Sequence, residues 1–334
     1  MTHQRTRLLL VLLQLIVVAV SQSASAAEKL VGIHSARVLS QSMPWIAQEA
    51  GLFKKHDIEL PLVFIASSPA VTAAMLGGDA EVGLTGGEGM IRAYIQGATE
   101  FVFIGAVKNV LTHSILAKAP IRKPEDLKGK RIGINRIGSN PHYFAVQALK
   151  RAGLDGSRDV TMIQSGGAPE TLAALVSGAI DAAALTAPMD AQALAHGYDY
   201  ILYGPDMRIP YAATVFVTRR SVIAKRAPVI SRFMRAMAEA AKILHTDREF
   251  TYKVLGKQLR LTDRKILDAS YNLEIKALEP KLSIRTEAFQ DILDEVAKVD
   301  GRAKQVKAED LIDRRFLDDL DKSGFMNKLW EGKS

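Results

Sequence analysis

The chain has 334 residues, a length that fits two domains of ordinary size. Lys and Arg number 44 against 36 Asp and Glu, and 48% of the residues are hydrophobic, which excludes a wholly disordered chain and a multi-span membrane protein. The absence of Cys excludes disulfide scaffolds, Cys-ligated metal sites and Cys nucleophiles.

The first 27 residues have the pattern of a secretory signal peptide. Arg5 and Arg7 form a positive start, residues 8–20 form an apolar run, and Ala24 and Ala26 suit an A-x-A cleavage site. A membrane anchor would need about 20 apolar residues, and this run is shorter. A lipoprotein would need a Cys at the cleavage point. We therefore expect residues 1–27 to be removed and the mature chain to be free in the periplasm.

The formal charge of +8 does not indicate nucleic-acid binding. The basic residues are scattered, no aromatic-interleaved basic stripe is present, and an exported protein meets little nucleic acid. The charge predicts a solvated surface, with a mild bias toward anionic ligands as the alternative. The seven His residues show no metal-ligand spacing, so we expect no metal site.

Residues 168–181 repeat the pattern of residues 68–81. Each segment predicts a short helix with an early Pro and a terminal Gly, followed by a buried strand. The matched positions are Pro69 and Pro169, Ala73 and Ala173, Ala74 and Ala174, Gly78 and Gly178, and Glu81 and Asp181. Upstream, each copy adds an opening strand, a helix that ends at Ala-Gly-Leu (50–52 and 152–154) and a second strand (58–65 and 160–163).

Each copy therefore predicts strand–helix–strand–helix–strand, an α/β lobe with a mostly parallel sheet flanked by helices. We expect lobe one to comprise residues 28–114 and 215–334, and lobe two residues 115–214. Residues 114–117 and 214–217 are expected to pair as crossing strands of a hinge. Amphipathic helices packed on lobe one are predicted at 227–245, 247–259, 263–273, 286–299 and 310–320.

Four predicted helix starts should meet at the carboxyl ends of the strands, two from each lobe. They are preceded by small or polar residues at 40–42, 67–68, 138–140 and 166–168. Free backbone N–H groups at a helix start favour anions, and Gly lets the backbone approach a ligand. One exposed helix end contributes only about 0.3–1 kcal/mol. Useful affinity therefore requires both lobes to close on the ligand.

Several residues near this site have two interpretations. Ser139 and His142 could be a nucleophile and its base, but a capping Ser beside a ligand-facing imidazole is the simpler interpretation. Glu88 could face a ligand or a structural partner, whereas Glu170 fits the first turn of a helix. Trp45 is predicted to lie in the core. Three arginines could pair with an anion: Arg37, Arg136 and Arg208.

Residues 44–53, 76–87, 123–133 and 308–325 resemble the periplasmic substrate-binding proteins of the nitrate/sulfonate/taurine/bicarbonate class of ABC importers. The stretch 123–133 is shared with other binding-protein families. The resemblance covers the mature chain and implies a two-lobed, type II periplasmic binding protein. Such a protein captures a small polar or anionic molecule by hinge closure and delivers it to a membrane permease driven by an ATPase. We expect a monomer with no cofactor and no catalytic residue.

The resemblance also implies which loops contact the ligand. The matching residues are Ser40, Gln41, Ser67, Thr85, Gly86, Ser139, Asn140, Gly166 and Thr186. Glu88 and His142 are added from their positions in the chain. Many relatives have an uncharged residue where Glu88 stands, which argues against a simple inorganic anion as ligand.

Two other functions remain open at this stage. One is an exported, hydrolase-like enzyme on the same scaffold, and the other is a solute-sensing module. The yeast-type thiamin-pyrimidine synthase, an enzyme of similar fold, relies on a Cys-rich segment, which this chain lacks.

Overall fold

The computed structural model describes residues 27–331. The predicted signal peptide lies outside this range except for its last residue. Within the range, no helix is long and apolar enough to cross a membrane.

The described residues form two five-stranded sheets and one two-stranded ribbon. The strands are β1 (Glu28–Lys29), β2 (Gly32–His34), β3 (Ile58–Glu59), β4 (Leu62–Phe64), β5 (Val82–Thr85), β6 (Phe101–Leu111), β7 (Ser114–Ala117), β8 (Arg131–Ile134), β9 (Thr161–Gln164), β10 (Ala182–Leu185), β11 (Asp199–Leu202) and β12 (Ile209–Arg219).

The α-helices cover the sheets and form the C-terminal part of the chain. They are α1 (Met43–Glu49), α2 (Leu52–Lys55), α3 (Ser68–Gly77), α4 (Glu88–Ile95), α5 (Asn140–Arg151), α6 (Ala168–Val176), α7 (Met189–Ala195), α8 (Gly204–Met207), α9 (Arg220–Thr246), α10 (Arg248–Leu259), α11 (Arg264–Glu274), α12 (Glu287–Ala297), α13 (Arg315–Lys322) and α14 (Phe325–Trp330). Short 3₁₀ helices lie at Leu39–Gln41, Pro124–Leu127, Ile275–Ala277, Gly301–Gln305 and Ala308–Leu311.

The two large sheets repeat one design, in agreement with the sequence repeat. Their strand orders are β4-β2-β5-β12-β6 and β9-β8-β10-β7-β11. The first three strands of each order are parallel. The other two are joined in antiparallel fashion. The predicted α/β class is confirmed, and each sheet is mixed. We call each sheet with its helices a lobe, numbered in the same order.

The glycines predicted to follow helices adopt backbone angles that other residues avoid. Gly51, Gly78, Gly153 and Gly178 have φ of 69°, 89°, 76° and 76°. Glycine occupies this left-handed region without a steric penalty because it has no Cβ. The helices therefore end in the same way in both copies of the repeat, at a glycine with positive φ.

The chain passes between the lobes at residues 112–113 and 203–208. The predicted pairing of residues 114–117 with 214–217 is wrong. β7 pairs with β10 and β11, while β12 has β5 and β6 on its two edges and no free edge for β7. The paired strands beside the crossing are β6 and β12, with Leu111 opposite Ile209.

The C-terminal helices pack on lobe one, except that α11 also contacts α7 of lobe two. Two of these helices differ from their predicted bounds. α9 begins at Arg220, and its backbone breaks at Arg226, two residues before Pro228. Proline disturbs the preceding turn of a helix. The helix predicted at 310–320 is two elements, because Ile312 forms a bridge with Phe103 between them.

Candidate functional site

A small cavity lies between the two lobes at the carboxyl ends of their parallel strands. The space open to the centres of water molecules is about 40 Å³, which is room for about three waters at roughly 10–15 Å³ each. Its walls are Ser35, Ala36, Val38, Ser40, Gln41, Ser67, Ser68, Lys108 and Thr214 from lobe one, His113 from the crossing, and Asn135, Ser139, Asn140, Pro141, Ala168, Ala184, Leu185 and Thr186 from lobe two.

Three helices begin at this cavity. α3, α5 and α6 each have Pro as their second residue, namely Pro69, Pro141 and Pro169. The first N–H groups of a helix lack intrahelical acceptors. They therefore remain available to a bound group at three points around one small space. Of the four helix starts predicted to meet here, those of α3, α5 and α6 do so, and ahead of α1 the cavity is lined by Ser40 and Gln41 of the 3₁₀ helix Leu39–Gln41.

Six of the predicted binding residues line the cavity: Ser40, Gln41, Ser67, Ser139, Asn140 and Thr186. Two of them form hydrogen bonds within the loops that carry them. Gln41 Oε1 accepts the N–H groups of Ser35 and Ala36 at 3.0 and 2.9 Å. Ser139 Oγ donates to the carbonyl of Arg136 at 2.6 Å. Both residues shape the wall.

Asn140 joins the two lobes. Its Nδ2 donates to the carbonyl of Ala213 in β12 at 2.6 Å. This bond fixes the orientation of the amide and leaves Oδ1 buried, with no hydrogen-bond partner among residues 27–331. The Oγ of Ser67 and the Nδ1 of His113 are also buried, and neither has a hydrogen-bond partner among the described residues. Buried polar atoms normally have partners. The residues that carry these three atoms line one cavity, which makes the atoms candidates for contact with a ligand.

Five predicted residues do not line the cavity: Thr85, Gly86, Glu88, His142 and Gly166. Thr85 is the last residue of β5 and lies beneath the wall. The N–H of Gly86 donates to Ser68 Oγ at 3.2 Å and so supports the wall from behind. Gly166 has a φ of 100°, and its N–H donates to the carbonyl of Asn135. These residues form the layer behind the cavity surface.

Glu88 and His142 face structural partners. Glu88 accepts from Arg92 Nε at 2.8 Å and from the Tyr211 hydroxyl at 3.1 Å. The carboxylate is therefore neutralised four residues along its own helix, and it does not bring a charge to the cavity. His142 Nδ1 accepts the N–H of Gly138 at 3.2 Å, and burial lowers the pKa of His142. A neutral imidazole holding the start of α5 replaces the predicted ligand contact.

The other ambiguous residues also have structural positions. Trp45 is buried in the core beside His34, as predicted. Glu170 lies in the first turn of α6. The three arginines proposed to pair with an anion are exposed and outside the cavity wall: Arg37, Arg136 and Arg208.

One cation does line the cavity, and it was not predicted from the sequence. Lys108 lies in β6 with its side chain 2% exposed, and it pairs with Glu274, whose side chain is 1% exposed. Lys108 Nζ also donates to Thr112 Oγ1 at 2.9 Å. Thr112 donates to Glu274 Oε2 at 2.8 Å and lies 3.1 Å from Thr186 Oγ1. A lysine directly after the apolar run of residues 101–107, and within the same strand, was the available signal.

His113 follows this network at the crossing between the lobes. Burial, and secondarily the charge of Lys108, hold the pKa of His113 well below its ordinary range. The ring is therefore neutral at physiological pH and offers one donor and one acceptor nitrogen. Among the described residues, no group of three or more His, Cys, Asp or Glu could hold a metal ion.

Comparison with known protein families identifies the chain's relatives. The model of the family described as NMT1/THI5 like matches residues 42–249. The chain belongs to this family. The taurine-binding periplasmic protein of Escherichia coli (strain K12) is 34% identical over 123 residues. That match covers 36% of this chain and 37% of the relative. The predicted resemblance to the nitrate/sulfonate/taurine class is confirmed.

Solved structures of the same fold include binding proteins and an enzyme. The alkanesulfonate-binding protein SsuA of Xanthomonas axonopodis pv. citri, bound to MOPS, has a TM-score of 0.73 at 19% identity, covering 87% of this chain and 100% of that chain. The desulfurization enzyme DSZB has a TM-score of 0.66 at 14% identity, covering 89% of this chain and 99% of that chain. The periplasmic binding protein fold is thus confirmed, and it accommodates both binding and catalysis.

Proposed function

We propose that this chain is the solute-binding component of an ABC import system. It captures a small polar molecule in the periplasm, closes its two lobes around it, and delivers it unaltered to a membrane permease driven by an ATPase. The observation that carries this proposal is the cavity between the lobes, where three helix starts meet the buried, unpartnered atoms Ser67 Oγ, His113 Nδ1 and Asn140 Oδ1.

Energetics favour capture by closure. Three exposed helix ends would together contribute about 1–3 kcal/mol to an anion, whereas micromolar binding needs roughly 8 kcal/mol. Contacts between lobes supply part of the difference, including the Asn140–Ala213 bond and the bond from the Leu39 N–H to the Ala187 carbonyl at 3.4 Å. Closure also removes water, which strengthens the polar contacts that remain.

The finer features of the proposal follow the sequence analysis. The chain is exported by its signal peptide, is not a lipoprotein, acts as a monomer and binds no nucleic acid. It is not an enzyme. In support, Ser139 is bonded to the Arg136 carbonyl and His142 to the Gly138 N–H, so the pair is not arranged as nucleophile and base.

The proposal is tested by thermal denaturation of the mature protein with a panel of sulfonates, carboxylates, amino acids, nitrate and pyrimidines. A ligand at 100 times its Kd stabilises the folded state by about 2.7 kcal/mol. At least one solute should therefore raise the melting temperature by several degrees. Failure of the whole panel at millimolar concentration would contradict the proposal, and so would sustained turnover of a bound solute.

A pair of variants tests whether the ligand binds in the cavity. Asn140→Ala should lower affinity for the stabilising solute while the unliganded protein keeps its circular dichroism spectrum. Asn327→Ala is the matched control, because Asn327 is exposed on α14 far from the site. Equal affinity of both variants would place the ligand elsewhere.

A further inference from the structure

One carboxylate of the C-terminal part of the chain pairs with a residue of the cavity wall without lining the cavity itself. Glu274 is the last residue of α11, and it pairs with Lys108 in the cavity wall. Through Thr112 the same carboxylate is linked to Thr186 of lobe two. A residue 166 positions away from Lys108 in sequence therefore balances the charge of a lysine in the cavity wall.

The Lys108–Glu274 pair leaves this wall without net charge. A lone anion placed beside Lys108 also meets the field of Glu274, so attraction and repulsion largely cancel while the cost of removing the ligand's water remains. Asp190, buried in α7, adds another carboxyl group nearby. Burial first, and then the charge of Glu274, raise the pKa of Asp190 to about 6. The surroundings of Lys108 thus disfavour a ligand that carries only negative charge.

A second observation indicates a hydrogen-bond donor on the ligand. Asn140 Oδ1 can only accept, and its orientation is fixed because Nδ2 is bonded to Ala213. No residue in the described range 27–331 donates to it. A ligand that bears an N–H or O–H group can satisfy this oxygen, whereas nitrate or a fully ionised alkanesulfonate cannot.

We propose that Glu274 is a specificity-determining residue, which makes the cavity select a small solute without net charge that carries an N–H or O–H donor. This inference rests on the proposed solute-binding function and defines the class of solute. Glu274 acts through Lys108 and need not touch the ligand. Removing its charge converts the wall to a cationic one and should reverse the preference.

Two matched ligand pairs test the inference, taurine with ethanesulfonate and glycine with acetate. The members of each pair share an acid group and differ by one ammonium. Isothermal titration calorimetry gives the ratio of their Kd values for the wild type, for Glu274→Gln, and for the control Glu279→Gln. Glu279 also carries a carboxylate in the C-terminal region, but it bonds Asn109 and Arg285, neither of which lines the cavity.

The wild type and Glu279→Gln should favour the ammonium-bearing member of at least one pair. Glu274→Gln should shift that ratio toward the monoanion by about tenfold or more. The double variant Lys108→Met/Glu274→Gln removes both charges and should return the ratio toward that of the wild type. It also provides a readout if the single variant folds poorly, because replacing both members of a buried pair is tolerated better than replacing one.

A wild type that favours the monoanions, or a ratio unchanged in Glu274→Gln, overturns the inference and leaves the proposed function standing. No binding of these probes or of the wider solute panel contradicts the proposed function itself, and the inference falls with it.

Discussion

Gly86 lies where the two lobes meet, and a single methyl group there should hinder closure. A Cβ at position 86 would be 2.0 Å from Asn140 Oδ1 and 2.9 Å from Ser68 Oγ. The Ser68 hydroxyl can rotate away within its own lobe. Asn140 comes from the other lobe, and its Oδ1 would have to move from 2.0 Å to at least 3.4 Å to reach an ordinary contact, which would break its bond to Ala213.

The expected size of the effect follows from these contacts. Losing one hydrogen bond costs about 1 kcal/mol, and overpacking costs about 1–3 kcal/mol. Together they destabilise the closed state by about 2–4 kcal/mol, which corresponds to a Kd weakened about 30- to 700-fold at 1.4 kcal/mol per decade. Opening of the lobes would separate Gly86 from Asn140, so we expect the open state to be unaffected. Stability without ligand should therefore change little.

The assay is calorimetric titration of Gly86→Ala with the solute that most stabilises the wild type. Gly77→Ala is the matched control, since its added Cβ meets nothing closer than 3.7 Å within α3. The control should keep the wild-type affinity and gain up to about 1 kcal/mol of stability from helix propensity. Unchanged affinity of Gly86→Ala would refute the view that ligand is held by closure at this contact.

Three further predictions concern stability. The pKa of Asp190 is raised to about 6, so its contribution to the free energy of unfolding is full below about pH 4 and is lost as pH rises through 6. Melting curves from pH 4 to 7 should therefore show the wild type losing up to about 3 kcal/mol of stability relative to Asp190→Asn. Parallel curves for the two proteins would contradict this. Lys108→Ala leaves Glu274 buried without its partner and should cost about 3–5 kcal/mol in urea denaturation; a loss below 1 kcal/mol would mean that the pair is solvated. Gly133→Ala places a Cβ 2.2 Å from Ile180 Cδ1 and should cost about 1–3 kcal/mol, and a neutral result would show that Ile180 repacks freely.

Local patterns in the sequence were enough to predict most of the fold. The repeat at residues 68–81 and 168–181 predicted paired helices and buried strands, because Pro and Gly fix backbone angles independently of distant residues. The antiparallel strands were not predicted correctly. β12 pairs with β5 along one edge and with β6 along the other, and such a pairing depends on which edges remain free after the rest of the sheet forms.

Part of the candidate site could also be predicted from local sequence patterns. Loops at strand ends, such as those of Ser67 and Asn140, follow from topology alone. The hydrogen-bond and ion-pair partners of the side chains do not follow from topology. Whether Glu88 faces the cavity depends on Arg92 and Tyr211, and the role of Lys108 depends on Glu274, far along the chain. Long-range ion pairs leave no local pattern, although a lysine within a buried strand signals that a partner exists.

The position of β12 constrains the order in which the polypeptide can assemble. Lobe two is built from one continuous stretch between residues 112 and 208, and its sheet can form as soon as that stretch is available. Lobe one lacks the strand between β5 and β6 until residue 219 has followed, and its helical cover comes later still. A nascent chain therefore keeps its first half incomplete until late in synthesis, which would suit the export that we propose for this protein.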